Sequence, residues 1–261
     1  MNTIALVGRE AGYARKVLLR DPQNLFFTAG LPLLYLFIFA TIFGDETAEI
    51  AGQPGELDVA TYMTASVIVI GVVSAAFQNL AVNLIHDREN GVLKRLRSAP
   101  VPTSVFLGGH LVNALVASAL LAVGVALLGI AVYGVPFPDQ RIAAAVLTVA
   151  LGALACAGAA FPFTRLVRKG TAASPMAVAA TLTLFFVSGN FFAGADMPRA
   201  LNLVADLFPV RHFLIAMTTA FNPNVAGAGF EWGHLAVLAV WSIGGAIAGT
   251  QLFRWTPTGD H

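Results

Sequence analysis

Glu89-Asn90-Gly91-Val92-Leu93-Lys94-Arg95-Leu96-Arg97-Ser98-Ala99-Pro100 is a charged island that stands between two long uncharged runs, residues 59–85 and 104–133. A bilayer core about 30 Å thick needs about 20 helical residues to cross it, and each flanking run supplies more than that. The island therefore reads as a loop at a membrane surface, with a span on either side. Working outward, four further uncharged runs of comparable length occur at 25–43, 142–164, 171–194 and 232–253. Lipid leaves no partner for a bare backbone, so such runs are helices. The expected fold is all-α and integral to the membrane, with six spans in a single transmembrane domain covering residues 1–261.

Composition agrees. The 261 residues are 57% hydrophobic and 11% charged, with a mean hydropathy of +0.76. Soluble domains carry about 25% charged residues, and a chain with so few could not cover a water-facing surface. The net charge of +1 gives no reason to expect nucleic-acid binding. One cysteine, Cys156, lies inside an apolar run and excludes an intrachain disulfide or a Cys-rich metal site. No cleavable signal is expected, because residues 1–20 lack a sustained apolar core.

Charge asymmetry sets the expected orientation. Arg9, Arg15, Lys16 and Arg20 precede the first span; Arg88, Lys94, Arg95 and Arg97 follow the second; Arg165, Arg168 and Lys169 follow the fourth; Arg254 follows the sixth. The other side holds only Arg141, Arg199 and Arg211, and its first loop carries Asp45, Glu46, Glu49, Glu56 and Asp58. Basic loops stay inside, so both termini are expected in the cytoplasm and the protein in the cytoplasmic membrane. Residues 3–20 place Ile4, Val7, Ala11, Ala14 and Leu18 opposite Arg9, Tyr13, Lys16 and Arg20 on a helix. That pattern fits an amphipathic helix lying on the membrane; the competing reading is a plain basic flank.

Residues 200–221 complicate the count, being long and apolar with Asp206, Pro209, Arg211 and His212 near the centre. Each central charge costs about 2.5–3.5 kcal/mol to insert. Two short helices that dip in from the outer face and return, flanking Pro209, are expected within an outer loop at 195–231. A seventh span is the alternative.

The sequence carries no catalytic constellation: there is no phosphate loop, as none of Lys16, Lys94 and Lys169 follows its pattern, and no metal-spaced His/Cys cluster or nucleophile elbow. Polar residues inside spans are functional candidates. The second span has Ser74, Gln78, Asn79 and Asn83; the fifth has Thr181, Thr183, Ser188 and Asn190. With Phe77, Phe185, Phe186, Phe191 and Phe192 they are candidates to line a path for amphipathic cargo, Phe77, Gln78, Asn79, Asn83, Phe185, Ser188 and Asn190 above all. Hydrogen bonding between helices is the competing role, favoured for most of them. Small residues at Gly245/Gly249, Gly152/Cys156 and Ala155/Ala159 mark expected close helix contacts.

The order of residues in the charged island goes further. Glu89-x-Gly91-x-x-x-Arg95-Leu96-x-Ser98-x-Pro100, followed by Gly109, resembles the signature loop of ABC-2 type permeases, the membrane subunits of daunorubicin-resistance-like exporters. Arg20-Asp21-Pro22, Pro32 and Phe43-Gly44 resemble that family's entry to span one. Phe191-Phe192-Ala193-Gly194, Met197-Pro198, Phe208-Pro209 and Arg211-His212-Phe213 resemble its outer re-entrant region, in which Pro198, Pro209, Arg211 and His212 are the marked positions. The resemblance implies two copies of a six-span permease, as a homodimer, bound to two ATP-binding subunits. ATP and magnesium would sit on those partners, with no cofactor in this chain and no enzyme activity of its own. Residues 86–103 would form a coupling helix docking on the ATPase. Glu89 would make a charged contact there and Gly91 a tight turn, with Pro100 in the same motif. Lys94, Arg95 and Arg97 would dock or bind lipid phosphates. The implied function is export of a drug-like compound or lipid, as in antibiotic efflux. A polysaccharide or teichoic-acid exporter and a secondary transporter working without an ATPase are the alternatives.

Overall fold

A helix that is apolar on every side has no face suited to water, and it belongs either inside a protein or in lipid. Several segments of this chain are of that kind, and the structure sorts them. The computed structural model describes residues 30–44, 46–50, 52–91, 103–167, 169–191 and 198–252. The expected interfacial helix at 3–20 and residues 92–102 of the coupling loop lie outside them.

The elements run α1 (Leu31–Phe43), β1 (Thr47–Glu49), β2 (Glu56–Asp58), α2 (Val59–Glu89), α3 (Thr103–Tyr133), α4 (Ile142–Leu166), α5 (Ala173–Ser188), α6 (Arg199–Ala205), α7 (Pro209–Phe221) and α8 (Trp232–Leu252). A 3-10 turn at Gly170–Ala172 leads into α5. Among the described residues, α2, α3, α4, α5 together with the 3-10 turn before it, and α8 are long and apolar enough to cross a membrane. The protein is an all-α integral membrane protein. The described part of the first expected span, α1, has 13 residues and reaches about 20 Å at 1.5 Å per residue.

α2 is the axis. Every residue from Val59 to Val73 is buried, and Val67, Val69, Val72 and Val73 are wholly so. α1, α3, α4, α5 and α7 all pack against it. The outer helices are equally apolar but leave one face open, with Leu120, Leu127, Val240 and Ile243 more than 60% exposed in α3 and α8. Those faces meet lipid.

The structure corrects several boundaries. The second span continues past residue 85 to Glu89, so His86–Glu89 is helix, not loop. The fifth span was expected to reach residue 194 but ends at Ser188, where Gly189 turns left-handed at φ 87°. The acidic loop before α2 is a small antiparallel hairpin, with Thr47 opposite Asp58 and Glu49 opposite Glu56. It is latched to the end of α7: Gln53 Nε2 donates to Thr219 Oγ1 at 2.8 Å, Asn224 Nδ2 to the Glu56 carbonyl at 2.8 Å, and the buried Asn222 Nδ2 to Gln53 Oε1 at 3.2 Å.

α6 and α7 meet at 92°. Pro209 occupies the first turn of α7, where no backbone donor is needed, and Phe208 before it is extended. A pair bent this sharply is either a broken span or a re-entrant loop. The end of α7 is held by the hairpin beside the start of α2, where Tyr62 also donates to the Gly189 carbonyl at 2.7 Å. Apart from Arg211 and Ile215, α7 is buried throughout.

The closest helix contact is between α4 and α8. A Cβ on Gly245 would meet the Gly158 Cα at 2.1 Å, and one on Gly249 would meet the Phe161 ring at 2.9 Å. Gly245 and Gly249 thus do form a contact face, but the α4 partner is Gly158; Gly152 instead admits the ring of Phe213 from α7. Gly244 has nothing within 4 Å of a Cβ. Gly245→Val should therefore destabilise the protein by about 1–3 kcal/mol through overpacking, while Gly244→Val should shift thermal unfolding in detergent far less.

Candidate functional site

Midway along α2 the helix widens. Ser74–Asn79 forms a π-helical turn, a feature that inserts a residue into the ladder and often marks functional positions. From this turn to the end of α2, Ser74, Gln78, Asn79, Val82, Asn83 and His86 form one wall of a cavity of about 820 Å³. The facing walls come from α1 (Leu31, Pro32, Tyr35) and α5 (Ser174, Val178, Thr181, Leu182, Phe185), with Phe191 beyond them. One wall is a ladder of amides and the others are mostly apolar.

Aromatic rings gather at one end. Phe191 meets Tyr35 edge-on at 5.5 Å between centroids and lies 4.8 Å from Phe186 and 6.2 Å from Phe185. The Tyr35 hydroxyl is buried and has no hydrogen-bond partner among the described residues. Among the described residues the lining contains no Asp, Glu, Lys or Arg, and His86 is its basic group. Such a chamber suits a molecule with both apolar surface and neutral hydrogen-bonding groups.

Of the candidate path residues, Gln78, Asn79, Asn83 and Phe185 line this cavity. Phe77 does not: it packs against Phe163 of α4 at 5.2 Å between centroids. Ser188 is buried outside the lining. Asn190 serves the helix interface, its backbone carbonyl accepting from Ser66 Oγ of α2. Sequence reasoning missed Tyr35, Ser174 and His86. Tyr35, a tyrosine inside an apolar run, was the available signal for the first.

The charged end of α2 is built differently from expectation. Arg88, counted among the loop cations, is 4% exposed. Its Nη1 donates to the Thr164 carbonyl at 3.0 Å and its Nη2 to the Val167 carbonyl at 2.7 Å, at the end of α4. Glu89, expected to face a partner, has an internal one: the Gly170 backbone N–H donates to its Oε1. Asp87 approaches His110 of α3 at 3.7 Å. Gly91 stands at φ 68° with open space around it, the left-handed turn that ends a helix. Lys94, Arg95, Arg97 and Pro100 lie outside the described residues.

At the opposite flank, the turn between α6 and α7 gathers polar groups beside the middle of α8, with Asp206 and Leu207 themselves exposed. Trp241, nine residues into α8 and so about 14 Å from its start, donates Nε1–H to the Leu207 carbonyl at 3.2 Å. Arg211 pairs with Asp206 at 3.0 Å and donates to Asn202 Oδ1 at 2.6 Å. His212 Nε2 lies 2.9 Å from the Asp206 carbonyl and must be the donor there. A neutral His212 then accepts on Nδ1 from His234 Nδ1–H, 2.8 Å away. The turn therefore satisfies its own backbone and charges, the condition for irregular chain at this depth. Pro198 is exposed and caps the start of α6.

Single cysteines placed in a Cys156→Ala background should separate these environments. Gln78→Cys and Asn83→Cys are expected to react with a small charged methanethiosulfonate at least tenfold faster than Phe77→Cys; equal rates would contradict the cavity.

Against this geometry, a family model described as ABC-2 family transporter protein matches residues 46–249. The match begins at the hairpin and ends in α8, so it takes in both the amide wall and the loop after α2. No curated protein matches the chain.

Proposed function

Because the chain belongs to the ABC-2 family of transporter proteins, we propose that it is the permease of a daunorubicin-resistance-like exporter, moving a hydrophobic or amphipathic molecule through the α1–α2–α5 cavity. Its membrane-spanning permease role follows from the family and the apolar helices. The coupling of cavity to loop rests on one observation: a single helix, α2, carries the amide wall at Gln78, Asn79 and Asn83 and also leads through Gly91 into the charged loop. A push on that loop tilts the wall that touches the cargo.

In this reading residues 92–102 form the coupling element for a separate ATP-binding subunit, which holds ATP and magnesium. Lys94, Arg95, Arg97 and Pro100 make the docking surface, and Gly91 supplies the pivot. Both termini face the cytoplasm, residues 3–20 lie along the inner surface, and the hairpin with the α6–α7 pair faces outward. The cavity is flanked by exposed apolar side chains, among them Leu34, Phe37 and Ile38 of α1 and Leu182 and Phe186 of α5. A second copy of the chain covers that face and closes the path.

Co-expression with the ATP-binding subunit and affinity purification through this chain test the reading. The wild-type chain is expected to retain the ATPase, while Gly91→Pro and the double change Lys94→Glu, Arg95→Glu reduce retention at least tenfold. Full retention in both variants would contradict docking at this loop.

A further inference from the structure

The last turn of α2 does something that a docking surface does not require. Arg88 and Glu89 are neighbours of opposite charge, and each reaches the end of a different helix. The last carbonyls of a helix lack partners and carry its negative pole, and the first N–H groups lack partners and carry its positive pole. Arg88 supplies donors to the end of α4 through the Thr164 and Val167 carbonyls. Glu89 supplies an acceptor to the entry of α5 through the Gly170 N–H. A guanidinium this deeply enclosed is held in place by those bonds, because a buried charge without partners is strongly disfavoured.

Two further observations point the same way. Beneath the charged pair, Ile85 of α2, Val167 and Ala173 form a cluster in which each side chain is 0% exposed. Gly170 is also the residue that permits the carboxylate contact, since a Cβ there would lie 2.1 Å from Glu89 Oε2. Immediately beyond, Gly91 has open space around it. The connection between α4 and α5 is thus fastened to α2 on the near side of the pivot.

We propose that Arg88 and Glu89 are positioning residues that lock the α4–α5 connection to the end of α2, so that movement entering at residues 92–102 carries α2 and α5, two walls of the cavity, as one body. α1 is then the wall they move against. This rests on the coupling role given above to residues 92–102, but the lock itself is a property of the isolated chain. Glu89 on this view acts through Gly170 and not by contact with the ATPase.

Spin labels at Asn90→Cys and Lys169→Cys, both exposed positions, report the lock in nanodiscs on a Cys156→Ala background. The wild-type pair is expected to give one narrow distance distribution, unchanged when the ATPase complex binds ATP. Arg88→Met and Glu89→Leu should widen it at least twofold. Glu89→Gln, whose amide oxygen still accepts the Gly170 N–H, should keep it narrow, and the mild Gly170→Ala should reproduce Glu89→Leu without removing a charge. Narrow distributions in Arg88→Met, Glu89→Leu and Gly170→Ala, or a wild-type distance that shifts on ATP binding, would overturn the proposal. A chain that retains no ATPase but shows the variant-dependent widening contradicts the coupling reading alone.

Discussion

The enclosure of α2 is the constraint on which the rest of the molecule depends. Between Val59 and Val73 no side chain reaches the surface, so five other helices must be arranged around it before any face is left for lipid. Its β-branched run, Val67-Ile68-Val69-Ile70, would be an ordinary strand former in water. Lipid removes that option, because a lone strand leaves its backbone unpaired. The helix is kept by solvent and its central position by packing.

Several polar groups each close a gap in the backbone. Ser66 meets the carbonyl of Asn190 just past the end of α5, Trp241 meets the carbonyl of Leu207, and Arg88 meets the last carbonyls of α4. Gln78, Asn79 and Asn83 face a cavity of about 820 Å³, and the π turn beside them departs from the regular ladder. Local irregularity of this kind is retained where a site needs side chains aimed off the helical register.

Hydropathy made the spans legible, since uncharged runs of lipid length have one stable conformation in a bilayer. It did not reveal which run lies at the centre, because α2, α3 and α8 are similarly apolar and differ in what surrounds them. Thr61, Thr64 and Ser66, all buried, were the polar signs of an enclosed helix. The break before Pro209 was readable from the cost of Asp206 and Arg211, although their mutual pairing at 3.0 Å was not. Arg88 was misplaced for a simple reason: a cation next to a basic loop looks like the loop until a distant carbonyl pair is found for it. Phe77 shows the limit of listing polar and aromatic residues by span, since one helix presents Gln78 to the cavity and Phe77 to α4.

Power from outside, delivered at one end of a buried helix, is the claim everything else serves. A cryo-electron microscopy reconstruction of the chain bound to its ATP-binding subunit tests it most directly. Density for the ATPase against residues 92–102, at the end of α2 opposite the β1–β2 hairpin, is the expected result. An ATPase seated at the hairpin end, or one that leaves residues 92–102 uncovered, would contradict it.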